Sequence, residues 1–320
     1  MRRHDAYPRG GPTLRQRLAR PLRGALSLCV VAGNTVVWCI PLYVAILAKL
    51  VLPSRARPAV SRLLVWLAEG WIGGNNLALR LIHRIRWDVK GLAGLDPGAS
   101  YLVLCNHRSW VDITVLQRVF NRRIPFLRFF IKQELLWVPL LGGAWWALDY
   151  PFMKRHPQAR RQQRPELANE DLERTRRACE RFRRVPVALL NFLEGTRFTP
   201  EKRMRQGSPY RHLLNAKSGG MALTLAALGR QLSSILDVTI AYPDGRCGFW
   251  DLLTGRITRV SVWVRKLPIP PEFLSGDYRQ DADFRDRVQA WVRAVWQEKD
   301  VLLARCLEGP PPVSEAPGSG

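Results

Sequence analysis

Hydrophobic and polar positions divide the chain into three textures. From 25 to 52 (ALSLCVVAGNTVVWCIPLYVAILAKLVL) Lys49 is the only charge and Asn34 the main interior polar residue, and the stretch exceeds the ~20 apolar residues that cross a bilayer. From 59 to 82, Leu63, Leu64, Trp66, Leu67, Trp71 and Ile72 mix with Arg62, Glu69 and Arg80, the composition of an amphipathic helix lying in an interface. Gly73-Gly74 is expected to break it. After Arg84, short runs rich in β-branched and aromatic residues predict strands over 85–91, 101–106, 124–132, 187–194, 234–242 and 259–266. Helices are predicted over 110–120, 165–184 and 216–228, and Phe284, Val288, Trp291, Val292 and Val295 mark one face of another. Strands alternating with helices predict an α/β fold, a mixed and largely parallel sheet flanked by helices. The expected division is a basic segment at 1–24, membrane-anchoring helices at 25–82, the α/β domain at 83–308 and a tail at 309–320 that is disordered by composition.

The 25–52 stretch is too long for the apolar region of a cleaved signal peptide and no A-x-A site precedes a polar mature chain, so it is read as retained. Arg2, Arg3, Arg9, Arg15, Arg17, Arg20 and Arg23 precede it, and Lys49, Arg55, Arg57 and Arg62 follow closely. Both flanks therefore favour the cytoplasmic side. Pro41 lies near the middle, where its missing donor and ring disfavour a straight helix. The expectation is a re-entrant hairpin that leaves Arg17 and Arg57 on one cytoplasmic face, with a single straight span as the alternative.

Composition narrows the partners. The chain has 320 residues, of which 47% are hydrophobic, enough apolar surface to exclude wholesale disorder. Lys and Arg number 50 against 26 acidic residues, a net charge of +24, and 42 of the 50 are Arg, the side chain that grips phosphate bidentately. Anionic lipid, phosphorylated metabolites and nucleic acid all fit that charge. The basic runs at 159–164 and 174–184 lack a nucleic-acid module or interleaved stacking aromatics, so no nucleic-acid partner is expected. Cys29, Cys39, Cys105, Cys179, Cys247 and Cys306 are dispersed without zinc-type spacing. They read as free thiols, and no metal is expected.

Two strand ends carry the candidate chemistry. LVLCNHRSWVD (102–112) runs an apolar strand into Asn106, His107 and Arg108, and active residues of open α/β sheets gather at the carboxyl ends of strands. Asp112, five residues past His107 and in the first turn of the next helix, can accept the imidazole Nδ1–H, which fixes the tautomer and makes Nε2 the base. Ser109 lacks a G-x-S-x-G elbow. VALLNFLEGTRFTP (187–200) ends likewise in Glu194-Gly195-Thr196-Arg197, where Gly195 permits close backbone approach, Thr196 offers a hydroxyl and Arg197 a fork for phosphate.

Asn106-His107 through Asp112, followed by Glu194 to Arg197, resembles the lysophosphatidate (1-acylglycerol-3-phosphate) acyltransferase branch of the glycerophospholipid acyltransferase superfamily. The resemblance covers about 100–270. YPFMKR (150–155) looks like the family's second block and would carry acceptor binding onto Arg155. HLLNAKSGG (212–220) looks like the block after E-G-T-R, with Ala216 where Pro is usual and Lys217 as the basic residue. The fourth block, usually a strand centred on Pro, here reads ILDVTIAY with Asp237 and Val238. The resemblance implies a membrane-bound enzyme that moves an acyl chain from acyl-coenzyme A or acyl carrier protein to the sn-2 hydroxyl of a lysophospholipid, lysophosphatidate first among them. His107 and Asp112 would be catalytic, while Arg155, Glu194, Gly195, Thr196, Arg197 and Lys217 would serve the acceptor phosphate. No cofactor is implied, anionic lipids are the expected surroundings, and the site would face the cytoplasm.

Overall fold

The computed structural model describes residues 14–153, 182, 185–278 and 280–308. Two long helices lead the chain, α1 (Leu14–Val51) and α2 (Arg57–Ile82). A six-stranded sheet follows, in the order β1 (Arg86–Lys90), β8 (Arg259–Leu267), β7 (Ser234–Ala241), β2 (Tyr101–Cys105), β6 (Ala188–Phe192), β3 (Leu127–Phe129). All neighbours pair in parallel except β7 with β8. The expected mixed, largely parallel sheet is therefore present. Strand β2 is buried on both faces: Tyr101, Val103 and Cys105 pack toward α3 (Val111–Phe120), while Leu102 and Leu104 pack toward α6 (Gly219–Leu228) and α8 (Ala282–Glu308). Helices covering both faces explain why the strands read as continuous apolar runs without alternation.

The predicted strand at 124–132 divides. Leu127–Phe129 joins the main sheet, whereas β4 (Ile131–Lys132) turns away to pair with β5 (Phe152–Met153). Between β4 and β5 runs an excursion holding a 3₁₀ turn (Gln133–Trp137) and α4 (Leu141–Ala147). Short α5 (Pro200–Arg205), α7 (Phe249–Leu253) and a second 3₁₀ turn (Pro271–Leu274) complete the described elements. The predicted helix at 165–184 falls mainly, and Arg155, Cys179 and the tail at 309–320 wholly, outside the described residues. The other five cysteines are free.

The amino-terminal pair departs from the expected geometry. Helix α1 continues through Pro41, so the hairpin predicted inside 25–52 does not form. The reversal comes instead at 52–56, and positions 17 and 57 lie at opposite ends of α1. A single proline removes one hydrogen bond, and packing against α2 outweighs that loss. Nor does Gly73-Gly74 break α2. A Cβ on Gly70 would stand 2.2 Å from the Trp38 ring and one on Gly74 2.2 Å from Asn34 Oδ1, so Gly70 and Gly74 admit α1 to close contact. Asn34 Nδ2 donates to the Trp71 carbonyl (3.0 Å) and to Asn75 (2.9 Å), and Trp71 Nε1 donates to Thr35 (3.0 Å).

Both ends of α1 also touch the α/β domain. Gly24 packs beneath Trp250 and Thr254, and Ser27 Oγ lies 2.9 Å from His83 Nε2. At the other end Lys49 donates to the Ala147 carbonyl (2.9 Å) and pairs with Asp149 (3.5 Å). These anchors are about 37 Å apart along the helix at 1.5 Å per residue. The helix lies along the domain rather than projecting from it.

Gly70→Ala should destabilise the helix pair by about 1–3 kcal/mol through overpacking against Trp38. A Cβ on Gly73 meets nothing within 4 Å, so Gly73→Ala should leave the protein as stable or slightly more so. Thermal unfolding of both variants in detergent checks the contrast.

Candidate active site

Strands β2 and β6 pair in register with Cys105 opposite Phe192, so the turns that follow them leave the sheet side by side. Two residues on, the His107 amide donates to Glu194 Oε1 (2.8 Å), and the Phe198 amide returns a bond to the His107 carbonyl (2.7 Å). Glu194 is fully buried, and its second oxygen accepts from the Leu214 amide (3.1 Å). Burial pushes its carboxyl up to about 7, against the opposing pull of the two amides and of Arg108. One carboxylate thus ties together the two motif turns and the 208–217 loop.

A second buried carboxylate sets the imidazole. Asp112 stands in the first turn of α3 and is completely buried. Its Oδ2 accepts from His107 Nδ1 (2.9 Å) and from the amides of Arg108 (2.6 Å) and Ser109 (2.8 Å), while Oδ1 accepts from the Tyr242 hydroxyl (2.7 Å). An ionised carboxylate only accepts, so the proton on His107 belongs at Nδ1 and the lone pair at Nε2. The ring stacks on Phe192 with centroids 4.0 Å apart and planes inclined by 16°. With 17% of its side chain exposed, His107 keeps access to solvent or substrate. Asn106 is buried and extends β7, accepting from the Ile240 amide and donating to the Ile240 carbonyl, both at 2.9 Å. Ser109 Oγ accepts from the Val111 amide (2.9 Å) and donates to the Cys247 carbonyl, so that hydroxyl is committed to the fold.

Cations surround this pair. Gly195 has φ +66°, the left-handed region that favours glycine, and a Cβ there would sit 3.5 Å from Lys217 Nζ. Lys217 therefore reaches the Glu194–Arg197 turn, as the sequence suggested, and its amide donates to the Leu193 carbonyl (2.7 Å). Arg197 is exposed and holds its guanidinium 5.3 Å above the Trp110 ring. Thr196 Oγ1 accepts from Lys202 Nζ at 2.9 Å, and Arg108 stacks on Phe198 at 4.6 Å. The structure brings together His107, Asp112, Glu194, Gly195, Thr196, Arg197 and Lys217. Arg155 lies outside the described residues. Sequence reasoning missed Tyr242, Phe192, Trp110 and Lys202. Tyr242 and Phe192 stand at the carboxyl ends of predicted strands, a position that marked His107 and applied equally to them.

Asp237 belongs elsewhere. It is buried under α8, pairing with Lys299 Nζ (2.7 Å) and with Arg265 Nη2 (2.7 Å). Its role is structural.

Residues 86–243, which include both motif turns, match the family model described as Acyltransferase. These residues form an acyltransferase-family domain. Over 259 residues the chain is 25% identical to the 1-acyl-sn-glycerol-3-phosphate acyltransferase delta of Bos taurus, covering 78% of this chain and 62% of that one. It is 24% identical over 233 residues to lysocardiolipin acyltransferase 1 of Gallus gallus, covering 68% and 56%. The chain thus spans about half to two thirds of the length of these curated relatives. The crystal structure of the 1-acyl-sn-glycerophosphate acyltransferase PlsC from Thermotoga maritima superposes with a TM-score of 0.50 over 88% of this chain and 98% of that one, at 16% identity. That likeness shows a shared fold for the acyltransferase domain and its leading helices.

The raised Glu194 gives a pH signature. Its folded value of about 7 lies above the ordinary 4.5, so between those values the folded protein holds a proton that the unfolded chain releases. Its contribution to stability is fully present below about 4.5 and is lost as pH rises through 7. In Glu194→Gln the amide group must face either the His107 or the Leu214 N–H donor to donor, which destabilises. The Tm deficit of this variant should be larger at pH 5 than at pH 7.5, which parallel thermal melts check.

Proposed function

We propose that this chain transfers an acyl group from an acyl thioester to the free sn-2 hydroxyl of lysophosphatidate, yielding phosphatidate and a free thiol. The observation that carries this reading is the Asp112-fixed imidazole of His107 beside the cationic Glu194–Arg197 turn. His107 Nε2 removes the proton from the acceptor hydroxyl as its oxygen attacks the thioester carbonyl. Asp112 stabilises the imidazolium that forms. Collapse of the tetrahedral intermediate expels the thiolate, which takes the proton back from Nε2. Amides at the strand-end turns stabilise the oxyanion. Arg197 and Lys217 hold the acceptor phosphate, with Arg155 as a third cation. The thioester is a substrate, acyl-coenzyme A or acyl-acyl carrier protein, and the scheme uses no metal or cofactor.

Membrane attachment fits the same chemistry, because acceptor and product are both lipids. Helix α1 holds one stretch long and apolar enough to cross a bilayer, Ala19–Val51, whose most apolar 18 residues have a mean hydropathy of 2.0. Since both ends of α1 touch one domain, the α1–α2 pair lies in a single leaflet and the domain stays on one face. The basic flanks and the cytoplasmic pools of both thioesters make that face cytoplasmic. The chicken relative's name favours a second reading, in which another lysophospholipid is the acceptor. An assay on lipid vesicles with lysophosphatidate, other lysophospholipids and both donors tests the choice.

His107→Ala should lower kcat/KM by at least the ~10²-fold expected of a general base, with the protein still folded. Asp112→Asn should fall comparably, and a rate near that of the parent enzyme for either variant defeats the mechanism. Arg197→Ala and Lys217→Ala should each raise the acceptor KM by roughly 10- to 100-fold, the loss of one charged hydrogen bond, and leave the donor KM unchanged. A rise confined to the donor KM would assign these cations to the donor's phosphates.

A further inference from the structure

The excursion between β4 and β5 is not used by the chemistry above. It leaves the sheet after β3, which runs parallel to β6 and β2, so it emerges at the same sheet edge as His107. Pairing of Ile131 with Phe152 and Lys132 with Met153 closes its base, and the buried Arg128 donates from Nε to the Leu148 carbonyl (2.8 Å). From Leu135 to Leu148 the sequence LLWVPLLGGAWWAL has no charged residue. Its inner face joins a shared core, in which Ala144, Ala147 and Leu148 pack with Leu42, Ala45 and Ile46 of α1. Its outer face is bare: Trp137 is 86% exposed, and Leu140 and Trp146 about half.

The excursion also runs along α1. Tyr43 donates to the Leu140 carbonyl (3.0 Å), and Lys49 reaches Ala147 and Asp149. Beside these contacts, the α1 side chains Val44, Leu47, Leu50 and Val51 are likewise more than half exposed. Leu140 adopts φ +64°, where a β-carbon is strained and glycine would be the relaxed choice. A strained, exposed leucine between exposed tryptophans is unfavourable in water, and an apolar patch continuous with a membrane helix is suited to lipid. Tryptophan is also the side chain that favours the bilayer interface.

We infer that residues 133–148 form a second membrane-inserting element, which enters the same leaflet as α1 and brings the lipid surface to the sheet edge that carries His107. This rests on the single-leaflet placement of α1. The acceptor then reaches the site by lateral movement from lipid beside the excursion, without crossing water.

The test uses the full chain with its native cysteines replaced and single cysteines introduced at positions 44, 137, 146 and 233. Each carries a nitroxide, and the protein is reconstituted with phosphatidylcholine–phosphatidylglycerol vesicles. Ser233 is exposed and immediately precedes β7, where its amide donates to the Ser100 carbonyl at the start of β2, so position 233 lies at the end of the sheet opposite His107. Labels at 137 and 146 should lose collisions with an aqueous nickel chelate and gain collisions with oxygen, matching position 44 and opposing position 233. Nickel access at 137 and 146 equal to that at 233 overturns the inference. If position 44 then still reports lipid, the placement of α1 stands, and if it too reports water, both fail. Protection of 137 and 146 by acyl-coenzyme A without vesicles would make the excursion an acyl-chain wall and also overturn it.

Discussion

Two buried carboxyl groups hold the whole site by accepting hydrogen bonds. Asp112 accepts from two backbone amides, the His107 ring and the Tyr242 hydroxyl, and Glu194 from two backbone amides. Removing either acceptor leaves buried amides without partners, at a cost of about 1–3 kcal/mol each. The arrangement depends on the in-phase endings of β2 and β6, since a one-residue slip would turn His107 and Glu194 to opposite faces. The motif spacing is therefore a statement about register. His107 is held at its ring by one carboxylate and at its backbone by the other, and freedom remains only at Nε2.

Support for this unit reaches well beyond the motif. Helix α8 holds the loop that caps Glu194: Trp296 Nε1 donates to the Leu214 carbonyl (3.0 Å), and Asp300 accepts from the amides of Arg211 (2.8 Å) and His212 (2.7 Å). The same helix sends Lys299 into the core, where it meets Asp237 and the Val238 carbonyl. A buried ion pair of this kind adds little net stability, yet losing one partner is costly because the other charge stays behind. It fixes the docking of α8 on β7, and through Trp296 and Asp300 the position of the loop bearing Lys217. The aspartate of that strand is thus accounted for by a lysine on the last described helix.

The sequence was most informative where local pattern and tertiary role coincide. Strand β2, the strand-end histidine and the aspartate in the first turn of α3 were all legible, because a doubly buried strand must be continuously apolar and its carboxyl end must turn. Gly195 and Arg197 were legible for the same reason. Partnerships across long separations were not. Nothing local indicates that Tyr242 will bond Asp112 across 130 residues, or that Trp110 will lie under Arg197. The amino-terminal helices show the limit most clearly. Pro41 and Gly73-Gly74 were read as breaks from intrinsic preference, and contact between the two helices overrode it. Gly70 and Gly74 weaken an isolated helix but allow the close approach that stabilises the pair.

That close pairing also bears on the proposed membrane attachment of this strongly basic chain. An apolar helix projecting from the domain would present a continuous belt of hydrocarbon and would span. Here one side of α1 is covered by α2 and its two ends are held by α7 and by the α4 excursion. Its remaining side leaves Val36, Val37, Ile40, Val44 and Leu47 exposed. In the proposed attachment a helix clad in this way would lie in the interface with its bare side down, where nearby Arg and Lys side chains would meet anionic head groups at about 1 kcal/mol each. The proposed orientation of the His107 edge toward the membrane would then follow from helix packing rather than from a separate adaptation.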